Sequence, residues 1–187
     1  MNVDYVDTRR LIVRAQAGDA AAADELVHAY HPPIYRLAIS MLDDAAEADE
    51  AAQETLLRAM ERLDSFRGEA SFSTWLYAIA LNECRGRLRK RRARERLAQV
   101  LHALLRIDLS PPTSVESTVI ERQENTALWR AIQALPDKQR EVVMLRYYSE
   151  LKIVDIARVL GITDRAVRAR LRTANDQLRA VLKNEVE

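Results

Sequence analysis

Cysteine occurs once in the 187 residues, at Cys84. A single thiol closes no internal disulfide and makes no zinc site, so neither staple is expected to hold this fold. Glycine is nearly as scarce, with four in the whole chain, and strictly alternating β-branched runs are missing. With alanine and leucine abundant, that is an all-α composition. No apolar run approaches the ~20 residues of a membrane span, so no membrane insertion is expected. The opening MNVDYVDTRRLIV lacks the basic-then-apolar layout of a secretory signal, which points to the cytoplasm. His28, His31 and His102 are scattered, and no Gly-x-Ser-x-Gly, phosphate-binding loop or dinucleotide fingerprint occurs. Catalysis therefore finds no support, and neither a cofactor nor a metal is expected.

What the chain does have is unevenly placed charge. The net charge is only +1, which by itself argues nothing about nucleic acid. Up to Cys84, Asp and Glu outnumber Arg; then Arg85, Arg87, Arg89, Lys90, Arg91, Arg92, Arg94 and Arg96 arrive against the single Glu95. An acidic block followed by a basic one is hidden by the average. Eight cations so close repel one another, which favours an anionic partner and a salt-dependent one.

The organisation is two helical units. Residues 8–30 read as a helix interrupted near Gly18-Asp19. His31-Pro32-Pro33 should break or restart it, because proline is tolerated in a first turn and not in a helix interior. Ile34, Leu37, Ala38, Met41 and Leu42 give a second helix, Asp43-Asp44 a turn and cap, residues 45–63 a third helix and residues 72–92 a fourth. Residues 93–106 either extend that helix or form a separate amphipathic one. Residues 107–118, with Pro111-Pro112 among serine and threonine, form the clearest linker. The expected division is a first domain over 5–92, a linker over 93–120 and a second domain over 121–187, a four-helix unit.

The most informative stretch is 150–174, ELKIVDIARVLGITDRAVRARLRTA. Ile153, Ile156, Ala157 and Leu160 line one helix face. Gly161 suits the left-handed residue that closes a helix, Thr163 can cap the next one, and Asp164 suits its positive end. Val167, Leu171 and Leu178 then form an apolar stripe, with Arg165, Arg168, Arg170 and Arg172 on the other faces. A helix-turn-helix places such a second helix in the major groove, where arginine reads guanine or grips phosphate.

Two more constellations carry chemistry. Asp43, Asp44, Glu47, Asp49, Glu50 and Glu54 crowd one segment with no basic residue among them. Glu47, Glu50 and Glu54 share a helix face, as do Asp49 and Gln53, a crowding that costs helix stability unless something cationic meets it; alone it reads as a solvated acidic face, and a basic protein partner is the functional reading, with no calcium-loop pattern present. In Phe66-Arg67-Gly68-Glu69-Ala70-Ser71-Phe72-Ser73-Thr74-Trp75-Leu76-Tyr77, the helical spacing of Phe72, Trp75 and Leu76 makes them core anchors. The loop residues before them are the better candidates for touching unstacked bases.

At this point the residues resemble a known family, the extracytoplasmic-function (ECF) sigma factors of bacterial RNA polymerase. Ala48 to Ala59 resembles that family's polymerase-binding helix, Phe66 to Asn82 its melting and downstream-element segment, Leu135-Pro136-Asp137-Lys138-Gln139-Arg140-Glu141-Val142-Val143 the opening of its second domain, and the helix-turn-helix completes the order. The resemblance implies docking of Asp49, Glu50, Gln53, Glu54, Leu57 and Arg58 on a coiled coil of the largest polymerase subunit, with the second-largest subunit a further partner. It implies minus-ten DNA contacts by Phe66, Arg67, Gly68, Glu69, Ala70, Ser71, Asn82, Arg85 and Arg89. It implies minus-thirty-five contacts by Thr163, Arg165, Arg168, Ala169, Arg170 and Arg172. The function implied is promoter-specific transcription initiation in a stress or environmental response, silenced by an anti-sigma factor, membrane-anchored in some cases. The chain departs from the family pattern at Gly86, where aspartate is frequent, at Glu150 and Lys152, in place of glycine and serine, and at Ala166, Ala169 and Thr173 of the recognition helix.

A two-component or quorum-type regulator shares such a helix-turn-helix but would carry an α/β domain upstream, and residues 1–92 show no alternating strands. A pure interaction protein would not need two separate basic surfaces.

Overall fold

The computed structural model describes residues 5–105 and 126–184, and every regular element among them is helical. The first unit is α1 (Tyr5–Gln16), α2 (Ala20–Leu42), α3 (Ala45–Glu61), a 3-10 turn (Leu63–Ser65) and α4 (Phe72–Leu105). The second is α5 (Thr126–Gln133), α6 (Asp137–Val143), a π-helical turn (Met144–Tyr148), α7 (Ile153–Leu160) and α8 (Asp164–Asn184). The interruption at Gly18-Asp19 separates α1 from α2, and Asp19 caps α2 by accepting from the amides of Ala21 and Ala22. Arg14 pairs with the same carboxylate at 2.6 Å. Asp43 closes α2 in the left-handed conformation and Asp44 caps α3.

The expected break at Pro32-Pro33 does not occur: α2 runs through both prolines. Each should cost about 3 kcal/mol or more in a helix interior. Tyr30 before them and Ile34, Leu37, Met41 and Leu42 after them are all buried. A restart would lose the register that keeps both sets on one face. Burying each large apolar side chain is worth about 1.5–3 kcal/mol, so packing outweighs the prolines. The α4 helix also runs past the expected boundary, to Leu105, so residues 93–105 of the segment expected to link the domains are helical. The Pro111-Pro112 stretch lies outside the described residues.

Both units contribute to one apolar core. Leu26, Ile34, Leu37, Met41, Leu42, Leu76 and Leu81 are fully buried in the first, and Val142, Met144, Leu145, Ile156 and Val167 in the second. Cys84 belongs to this core; burial pushes its thiol up to about 12, so it is a neutral packing group.

Candidate nucleic-acid and partner interfaces

The helix-turn-helix forms as its residues dictate. Ile156, Ala157 and Leu160 are buried on α7, Val167 and Leu171 on α8. Gly161 ends α7 at φ 66°, and the Thr163 hydroxyl accepts from the Ala166 amide at 3.2 Å, capping α8. Thr163 is thus occupied in starting the helix. Arg165, Arg168, Ala169 and Arg172 are exposed and Arg170 is half-buried. Among the described residues none of these arginines has an ion-pair partner, so their donors face solvent. Ahead of the motif, Glu150 sits at φ 53°, a conformation that favours glycine.

The Phe66 to Ser71 loop borders an open pocket of about 820 Å³. Phe66, Arg67, Gly68, Ala70 and Ser71 line it, and Glu69 is exposed beside it. Phe66 is not a free loop side chain. Its ring lies 5.4 Å from Phe72 and 5.3 Å from Trp75, so it joins the core anchors and walls the pocket. The Ser71 hydroxyl accepts from the Thr74 amide at 3.1 Å, starting α4. The opposite wall comes from α1, through Thr8, Arg9, Ile12, Val13 and Gln16, which the sequence reading did not single out. Gln16 Nε2 donates to the carbonyls of Leu63 and Phe66 at 2.9 and 3.2 Å, fixing the loop against α1. The one available signal was the exposed Arg9-Arg10 pair on an amphipathic helix.

The acidic helix finds cations at home. Arg87 of α4 donates to Glu50 at 3.0 Å, and Arg91 lies 3.6 Å from Glu47. Arg58 bridges Glu54 at 2.8 Å and Glu83 at 2.6 Å. His31 lies 3.3 Å from Asp49, which also accepts from Gln53. The acidic and basic blocks therefore compensate each other in part within the chain. What stays open is Glu50, whose side chain is 70% exposed, Gln53, and Leu57, an apolar side chain 57% exposed beside them.

Residues 26–94 match the Sigma-70 region 2 family, and residues 125–175 match Sigma-70, region 4. The chain is 32% identical over 184 residues to the ECF RNA polymerase sigma factor SigW of Bacillus subtilis, covering 94% of this chain and 97% of that one. This chain is an ECF RNA polymerase sigma factor. It is also 32% identical to the RNA polymerase sigma-H factor of Pseudomonas aeruginosa, over 91% of each. In three dimensions it resembles CnrH, solved in complex with the cytosolic domain of CnrY, at a TM-score of 0.68 and 26% identity over 95% of this chain and 98% of that one. A second likeness is to the sigma factor RpoE of Bartonella quintana, solved with the anti-sigma factor NepR, at a TM-score of 0.69 and 25% identity, covering 86% and 96%.

As a sigma factor the protein directs transcription initiation and is not itself an enzyme. No described helix of it is long and apolar enough to cross a membrane. Of the residues expected at minus-ten DNA, Asn82 and Arg89 are exposed on α4, whereas Arg85 between them is bonded to Glu141 of the second unit. The sigma factor's own fold thus occupies one expected DNA contact, through a carboxylate 56 residues away that no local pattern could have paired with it.

Proposed function

We propose that this chain works in the cytoplasm by three surfaces. The exposed edge of α3, from Asp49 to Arg58, docks on the coiled coil of the largest polymerase subunit, with Leu57 as its apolar contact. The pocket walled by Phe66 to Ser71, continued by Asn82, Arg85 and Arg89 on α4, holds the opened minus-ten strand. The outward face of α8, from Thr163 to Arg172, reads the minus-thirty-five element. The observation that carries the reading is the set of arginines on α8, on a capped second helix, with no ion-pair partner among the described residues. Such donors suit base edges and phosphates and serve no internal purpose. Silencing by an anti-sigma factor is supported by the two solved likenesses, each determined with a bound partner. The deciding experiment is in vitro transcription with core polymerase on a genomic promoter pool, with the transcripts mapped. Discrete starts sharing upstream elements are expected; a start profile identical to that of core polymerase alone overturns the reading.

A further inference from the structure

Just ahead of the helix-turn-helix the chain leaves α6 through the π-helical turn Met144–Tyr148. Turns of this kind are rare and recur at functional sites. Met144 and Leu145 are buried in it, and Arg146, Tyr147 and Tyr148 then follow as three exposed residues in a row. Two of the three are turned back on the protein. Arg146 donates to the Leu151 carbonyl at 3.0 Å, and the Tyr148 ring lies 5.7 Å from the Arg36 guanidinium. Tyr147 is 59% exposed, so its ring fills no core.

What Tyr147 touches is the recognition helix. Asn175 Nδ2 of α8 donates to the Tyr147 hydroxyl at 3.0 Å, while Asn175 Oδ1 lies 3.5 Å from the same oxygen, too far to hold its proton. A phenol and a primary amide carry three donor hydrogens between them, and the short bond uses one. The others are free for an acceptor in solvent. Arg165, Arg168, Arg172 and Asn175 recur at three- and four-residue intervals, so the pair closes the C-terminal end of the arginine stripe. From Arg168 to Asn175 the helix rises about 10 Å, against a major groove about 12 Å wide. A helix seated with Arg168 at the base edges therefore brings Asn175 and Tyr147 to the groove wall, where the phosphates lie. In a helix-turn-helix the part of the chain ahead of the recognition helix is also what crosses the DNA backbone. The neighbouring carboxylate, Asp176, is drawn toward Arg179 at 3.9 Å.

We propose that Tyr147 is a further DNA-binding residue of this sigma factor: its hydroxyl, oriented by Asn175, donates to one phosphate at the edge of the minus-thirty-five element. Tyr147 is the contacting group and Asn175 a positioning residue. The proposal rests on the assignment of α8 as the reader of that element. A phosphate contact carries no base information and fixes the register of the helix in the groove. A neutral hydroxyl also leaves the phosphate charge in place and displaces no counterion, which separates it from the arginines of α8.

The test pairs Tyr147→Phe with methylphosphonate substitution along the minus-thirty-five duplex, read as promoter binding by the holoenzyme carrying the full chain. Replacing a contacted phosphate by a neutral methylphosphonate should cost the wild type several-fold in affinity. Tyr147→Phe keeps the ring and removes only the hydroxyl. It should lose several-fold on the unmodified promoter, keep the wild-type base preference and salt slope, and become far less sensitive to substitution at one phosphate that matters to the wild type. Asn175→Ala, which leaves Tyr147 in place without its orienting donor, should weaken the coupling to that same phosphate. Loss by one common factor on every modified duplex would make the pair an internal clip and overturn the contact. An altered base preference in Tyr147→Phe puts the hydroxyl on a base edge and overturns the phosphate assignment, and unchanged affinity overturns it as well. In each of these cases α8 stands as the reader if Arg168→Ala shifts the preferred minus-thirty-five sequence. If Arg168→Ala and Arg170→Ala also change nothing, the reading of α8 fails and the proposal falls with it.

Discussion

Arg168 and Arg170 lie two residues apart on α8 and meet different surroundings. Arg168 is exposed at the middle of the recognition helix, whereas Arg170 is half-buried at its flank. A guanine contact needs a side chain that projects freely into the groove; a phosphate contact is made from the edge. Arg168→Ala should therefore cost about 1–3 kcal/mol at a single position of the minus-thirty-five element and relax the base preference there. Arg170→Ala should weaken all sequences alike and reduce the salt slope by about one. Holoenzymes measured on a randomised minus-thirty-five library at two salt concentrations separate the two; the reverse pattern exchanges the roles, and no change in either variant removes α8 as the reader. Glu150 makes a different kind of prediction. Its φ of 53° is the conformation for which glycine is suited. A non-glycine residue in that region costs about 1–2 kcal/mol. Part of that returns on substitution, because glycine also loses more chain entropy on folding. Glu150→Gly should raise stability by about 0.5–1 kcal/mol, seen as a higher urea midpoint with an unchanged slope; a lower midpoint would show that the Glu150 side chain contributes more than its backbone costs.

The α4 element carries an internal weakness and much of the basic charge. Gly86 sits inside it, and a Cβ there would meet only the end of the Arg89 side chain, at 3.9 Å. With that room available, Gly86→Ala should stabilise the protein by about 0.5–1 kcal/mol, measured by thermal unfolding; destabilisation would mean that α4 needs to bend at Gly86. On α3, Asp49→Lys with Glu50→Lys should abolish retention of core polymerase in a pull-down while the protein stays folded. The pair of Glu50 with Arg87 is exposed, and such pairs are worth about 0–1 kcal/mol. Retention at the wild-type level would remove α3 from the docking surface. These elements also show what was legible from sequence. The turn at Asp43-Asp44, the start of α4 at Phe72 and the whole helix-turn-helix are written in caps, a glycine and three-to-four spacing, which act over a few residues. The continuity of α2 through Pro32-Pro33 was not legible, because local propensity opposes it and only burial of residues on both sides decides it. The pairing of Arg87 and Arg91 with Glu50 and Glu47, like that of Arg85 with Glu141, joins residues far apart in the chain, and one sequence gives each charge without its partner.

Over the whole molecule the net charge is +1, and its distribution decides how the free protein meets DNA. Many of the cations of the first unit are spent internally: Arg58, Arg87 and Arg91 lie against α3 or its neighbours, and Arg85 and Arg92 face α6. The α8 arginines Arg165, Arg168, Arg170 and Arg172 have no ion-pair partner among the described residues, and Arg89, Lys90, Arg94 and Arg96 on α4 are exposed as well. Each phosphate neutralised contributes about 0.9 to the slope of log affinity against log salt, so contacts made by these four α8 arginines alone give a slope no steeper than about −4 on duplex DNA. On the proposed docking, core polymerase would change both terms, by covering the acidic edge of α3 that repels DNA and by fixing the two units at the spacing of a promoter. The expected outcome in gel shifts is weak binding of promoter duplex by the free protein, with a shallow salt slope and little preference between promoter and random duplex. The holoenzyme should bind far more tightly, with a steeper slope and clear preference. Equal affinity of the two for promoter duplex would show that the α8 arginines alone suffice and that neither the acidic edge of α3 nor the docking of the two units restrains the free chain.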